Sequence, residues 1–170
     1  MSFTRKYLLY ILLPPVLVSV PLAILFLSQV EQFSTREWAL VVGIFLATYL
    51  AGILKYGMSM RPVLREVEEQ LRRDSPQLPL AMSRCLRRSL QNANYFWLGA
   101  GVVFSIATTL ALGESVFIIR HLAIASMIAA APAIAWNYGA AKHLLVDAAA
   151  GSKHVGYIGR RRLTVARKIA

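Results

Sequence analysis

Four long apolar runs, separated by loops that alternate between nearly uncharged and strongly basic, constrain this chain more than any other feature. The runs cover residues 7–30, 38–60, 95–113 and 115–143. Each is close to the roughly 20 residues a helix needs to cross a hydrocarbon core. Seventeen of the nineteen Lys and Arg residues fall at one set of ends, and only Arg36 and Arg120 at the other. Lys and Arg are retained on the cytoplasmic side of a bilayer, so the pattern predicts both termini inside. The expected fold is an all-α, four-transmembrane-helix bundle, N-in and C-in, multi-pass in a cell inner membrane. A cytoplasmic amphipathic helix is expected between spans 2 and 3.

Composition supports that class. The chain is 57% hydrophobic with mean hydropathy +0.54, and its apolar residues lie in blocks rather than in a soluble helix's periodic scatter. The net charge of +11 sits at span ends, where topology and anionic lipid account for it, so no nucleic-acid partner is expected. The expected partners are a bilayer with anionic headgroups and a second copy or larger membrane assembly. The single cysteine, Cys85, excludes a disulfide framework and reads as an inert thiol, with palmitoylation as the lesser reading. Arg5-Lys6 before an apolar run resembles a secretory signal, but the run is long and no A-x-A site follows. It reads as a retained span.

Along the chain, residues 1–6 form a tail and 7–60 a first hairpin. Span 1 carries Pro14, Pro15 and Pro21, each of which removes a backbone donor. Such a span must pack where neighbours re-satisfy the freed carbonyls. Trp38 opens span 2, and Tyr95-Phe96-Trp97 opens span 3, as interfacial aromatics. Residues 61–94 form a basic linker. Its first part, from Arg61-Pro62, has helical periodicity, residues 74–79 break it, and residues 80–90 resume it. A second hairpin covers 95–143. Gly99 and Gly101 in span 3 suit close helix contact, and the small residues of span 4 make it the expected most buried span. Residues 144–170 form a basic tail. Gly159–Ala170 has the form of another lead-in, so the expectation is either a further span after it or a natural end of the chain at this point.

An offset of 82 residues carries Tyr56-Gly57 onto Tyr138-Gly139 and Arg5-Lys6 onto Arg87-Arg88. That match suggests one two-span unit used twice, although the basic lead-ins are demanded by topology in any case.

Chemistry-bearing motifs are few. The chain has no phosphate loop, Cys-x-x-Cys, His-Glu-x-x-His or nucleophile elbow. His121, His143 and His154 are scattered, so no metal, haem or other cofactor is expected, and no enzymatic activity within this chain. Polar groups near or within spans are the functional candidates. Glu114, Arg120 and His121 are placed at the outer interface, where Glu114 and Arg120 either pair or Arg120 anchors to headgroups. Asn137 is expected to hydrogen-bond another span, and Pro132 to mark a point of altered packing in span 4. Lys55, Arg61, Arg87, Arg88, Arg160, Arg161 and Arg162 are expected to contact lipid headgroups.

The segment Arg61-Pro62-Val63-Leu64-Arg65, a Pro-containing break and Ser83-Arg84-Cys85-Leu86-Arg87-Arg88 before an aromatic-rich span resemble the N-terminal membrane region of bacterial multi-span signalling proteins. Arg162-Leu163-Thr164-Val165-Ala166-Arg167-Lys168-Ile169 is similar to the next lead-in of that arrangement. In that group paired spans precede a HAMP linker and an output domain, often a class III adenylyl cyclase, sometimes a histidine kinase or chemotaxis transducer. The resemblance implies a membrane anchoring and sensing module that regulates a cytoplasmic signalling output not present in this chain. Its expected mechanism is a packing shift between spans 1 and 4, relayed through residues 160–170. The alternatives are a small membrane transporter or channel component, or a structural subunit of a membrane complex. The lack of a mid-membrane carboxylate counts against a proton-coupled carrier.

Overall fold

The computed structural model describes residues 3–113, 116–150 and 152. These form four helices, α1 (Phe3–Val30), α2 (Thr35–Arg72), α3 (Leu78–Leu112) and α4 (Val116–Ala149), with no strand among the described residues. All four are long and apolar enough to cross a membrane, which is compatible with a multi-pass membrane protein. Short connections make successive helices antiparallel. The α2–α3 turn therefore lies at one end of the bundle, called here the basic end. The α1–α2 and α3–α4 connections lie at the other, the far end.

The helix ends are set by local chemistry. Ser34 caps α2 by accepting from the Glu37 N–H at 3.4 Å, while the Glu37 carboxylate accepts from the Ser34 N–H at 2.6 Å. That reciprocal pair satisfies two N-terminal donors and holds the Glu37 carboxyl below its ordinary range. At the basic end the Arg73 N–H closes α2 on the Glu69 carbonyl, and Asp74 adopts φ 42°. Asp tolerates this left-handed conformation better than most residues. Pro79, in the first turn of α3, needs no helical donor. Gly113 ends α3 at φ 69°, with its N–H on the Thr109 carbonyl.

The expected separate amphipathic helix between spans 2 and 3 is not present as such. Residues 61–72 continue α2 without interruption, through Pro62, and residues 80–90 lie in the first half of α3. The reason is a single stripe. Tyr56, Met60, Leu64 and Val67 recur at helical spacing and are all buried. They meet Leu78, Ala81, Met82 and Cys85 of α3 in one core cluster, joined by Tyr7 and Ile11 of α1 and by Ala141 and Leu145 of α4. The change of composition at Arg61 alters what surrounds the helix, not the helix itself. The tail at residues 1–6 differs in the same way, because α1 already begins at Phe3. So does the tail from residue 144, because α4 runs on to Ala149.

The helices do not pack evenly. α3 packs closely on both α2 and α4, and α1 on α4, but α1 and α2 touch far less. Span 4 was expected to be the most buried. α3 and α4 in fact bury the same share of their apolar stretches, more than α1 and far more than α2. Lipid offers no hydrophobic drive between spans, so close contact and polar links hold them. A Cβ on Gly101 would sit 2.8 Å from the Ser126 Cβ, so glycine there sets the α3–α4 approach. A Cβ on Gly99 meets nothing within 4 Å, so its expected packing role is not observed.

Candidate functional site

The loose α1–α2 seam opens a cleft of about 200 Å³ in the half of the bundle toward the far end. α1 contributes Val20, Ala23 and Leu27, and α2 contributes Val41, Phe45 and Tyr49. Trp97, Gly101 and Phe104 of α3 and Ala129 of α4 form its floor. The lining is almost wholly apolar, so the cleft suits a hydrocarbon chain or an apolar side chain rather than an ion.

Aromatic rings shape this wall. Phe45 stacks on Tyr49 at 5.8 Å and meets Phe104 edge-on at 6.0 Å, while Phe96 and Trp97 lie 5.0 Å apart and both reach Tyr49. Tyr95, Phe96 and Trp97 were expected to share the interface. Only Tyr95 faces outward, at 79% exposure, while Phe96 and Trp97 are buried between helices. Successive helical residues turn by about 100°. A run of three aromatics therefore cannot share one surface.

Two carbonyls of α1 take donors from outside their helix. The Trp136 indole N–H donates to the Tyr10 carbonyl at 3.0 Å. That carbonyl is the one Pro14 leaves without its helical donor, four residues on. The Tyr49 hydroxyl donates to the Leu12 carbonyl at 3.0 Å and closes the cleft toward the basic end. Of the carbonyls freed by Pro14, Pro15 and Pro21, that of Tyr10 thus takes a donor from a neighbouring span, whereas the Leu12 carbonyl is not one of the three. The donors Trp136 and Tyr49 went unrecognised in the sequence because they lie 126 and 37 residues from their acceptors.

At the far end His121 Nδ1 meets Glu31 Oε1 at 2.5 Å and ties α4 to the end of α1. Glu31 was not among the expected site residues. Arg120 is exposed and forms no ion pair among the described residues, and Glu114 lies outside them. Asn137 corrects an expectation. It is buried in α4, yet neither its amide nitrogen nor its carbonyl oxygen has a partner among the described residues. One turn away on the same face of α4 stand the buried alanines Ala133, Ala140 and Ala141. Pro132 sits inside an unbroken α4 on an exposed face.

At the basic end Arg84 pairs with Glu66 at 2.5 Å across the α2–α3 hairpin, and Thr4 of α1 donates to Glu68 at 3.1 Å. The Ser152 hydroxyl donates to Asp74 at 2.6 Å, which joins the segment after α4 to the hairpin turn. Cys85 is buried here, and burial pushes its thiol up to about 11. Lys55, Arg61, Arg87 and Arg88 are exposed, whereas Arg160, Arg161 and Arg162 lie outside the described residues.

The Tyr-Gly pairs singled out by the 82-residue offset occupy different surroundings. Tyr56 is buried and hydrogen-bonded to Ser89 at 2.9 Å, while Tyr138 is 43% exposed. Comparison with protein-family models, with curated proteins and with solved structures gives no match.

Proposed function

We propose that this chain is a membrane anchoring and sensing module, lying in a cell inner membrane with its basic end in the cytoplasm. It regulates a signalling output of cyclase or kinase type beyond this chain and has no catalytic role of its own. One observation supports this reading above the others. α2, 38 residues long in all, borders the apolar cleft at Val41, Phe45 and Tyr49 and runs on unbroken to the basic hairpin. At 1.5 Å per residue that is about 57 Å, against roughly 30 Å of hydrocarbon.

A rod of that kind carries displacement from one end to the other. Occupation of the cleft by an apolar molecule pushes α2 from α1 at their loosest contact. The hairpin moves with it, and the Ser152–Asp74 bond passes the movement to the chain after α4. The moving seam is thus α1–α2 rather than the α1–α4 contact, which is well packed. Displacement of packed helices between discrete arrangements is an established means of switching.

The test uses nitroxide labels at Lys6→Cys and Arg73→Cys in a Cys85→Ala background, in nanodiscs. Filling the cleft with Val42→Phe should shift the distance distribution between the labels. An unchanged distribution, with the fold intact by circular dichroism, leaves only an anchor.

A carrier or channel component is the second reading, and Asn137 favours it, because a buried amide without a partner suits a passing polar solute. Liposome flux that falls in Asn137→Ala relative to the unaltered chain would support it.

A further inference from the structure

A second opening lies between α2 and α3, nearer the basic end, and adjoins the apolar cleft at Thr48, Phe96 and Ala100. It holds about 580 Å³. Its two parts differ in chemistry. Lys55, Ser59, Arg88 and Asn92 form a polar mouth, and Gly52, Phe96, Gly99 and Val103 form an apolar run leading toward the middle of the span.

The mouth is rich in donors and has no acid. Ser59 Oγ accepts from Asn92 Nδ2 at 3.0 Å and from Arg88 Nη2 at 3.3 Å, so its own hydroxyl proton points elsewhere. Arg88 has five N–H donors and Lys55 three, and no carboxylate lines the cleft. The acids of the hairpin are engaged instead with Arg84, Arg72, Arg73, Thr4 and Ser152. The apolar run is closed at Gly52 by the Phe96 ring and open at Gly99 and Val103. The missing Cβ of Gly99 would meet nothing within 4 Å, and Val103 one turn further is exposed.

We infer that this cleft is a binding site for one anionic phospholipid of the leaflet at the basic end. Its phosphate lies among Lys55, Ser59, Arg88 and Asn92, and one acyl chain lies over Gly99 and Val103. The charge selects the headgroup, since basic pockets between spans attract anionic lipid. The fork of Arg88 suits phosphate oxygens, and Lys55 adds a point charge. The glycine keeps the acyl path clear. The inference rests on the membrane placement above but not on the relay, so a failed relay leaves it standing.

The experiment is native mass spectrometry of the whole chain, released from mixed phosphatidylglycerol and phosphatidylcholine micelles. The unaltered chain should retain one phosphatidylglycerol in preference to phosphatidylcholine. Lys55→Gln with Arg88→Gln should lower that preference about tenfold, the loss expected of roughly one charge-assisted contact. Gly99→Leu keeps the cations but fills the acyl path, and it should weaken retention of phosphatidylglycerol without changing the thermal melt. Equal retention of the two lipids by the unaltered chain would overturn the inference, as would unchanged selectivity in the double variant. Displacement of the lipid by millimolar inorganic phosphate would show a free-anion site instead. A dimer that dissociates on Gly99→Leu would show that a second copy, not lipid, fills the cleft.

Discussion

Trp136 and Tyr10 show how a single side chain can compensate for a proline. Pro14 removes the donor for the Tyr10 carbonyl, and the indole N–H restores it from a neighbouring span. Trp136→Phe should lower stability by about 1 kcal/mol, within the range measured for polar contacts between spans. In a Pro14→Ala background the same substitution should cost less, because the backbone then supplies its own donor. Denaturant unfolding in bicelles, arranged as a double-mutant cycle, reads the difference. Gly52 is constrained by packing rather than by φ. Its missing Cβ would lie 1.9 Å from the Phe96 ring, which is held by Tyr49 and Trp97. Gly52→Val should therefore destabilise by about 1–3 kcal/mol, while Gly99→Val should be close to neutral. Burial disfavours the Cys85 thiolate and pushes the thiol up to about 11. The raised value means its contribution to stability is whole below the ordinary thiol range and is lost as pH rises toward 11. Alkylation by maleimide should be slow at neutral pH in the folded protein and fast once it is unfolded. Rapid labelling of the folded chain at neutral pH would contradict this burial.

At the scale of the helices, hydropathy and charge were enough to find four spans, and the prolines of α1 already demanded polar neighbours. The continuity of α2 and α3 was not visible, because polarity at Arg61 reports the surroundings of a helix and not its hydrogen bonds. The buried stripe from Tyr56 to Val67 was present in the sequence, but it crossed the point where composition divides the chain. The Glu31–His121 contact joins residues 90 apart, and no local pattern marks such a pair. Asn137 was legible as a buried polar group, but the partner expected for it depended on the facing helix. Pro62 has no N–H to give, yet α2 runs through it. Pro62→Ala should therefore leave amide exchange protection on both flanks high. A local loss of protection at residues 58–66 in the unaltered chain would instead separate the two halves of α2.

Across the whole molecule the weak α1–α2 seam and the tight basic end have complementary roles. In the proposed relay the first is where the bundle opens, while the second gathers α1, the α2–α3 hairpin and the segment after α4 at one end. The relay requires that the bundle cross lipid with the hairpin on the cytoplasmic side. Single cysteines at Arg36 and Arg73, in a Cys85→Ala background, test this with an impermeant maleimide on intact cells. Arg36→Cys should label at once, and Arg73→Cys only after the membrane is permeabilised. Labelling of Arg73→Cys on intact cells would contradict the arrangement and the relay built on it.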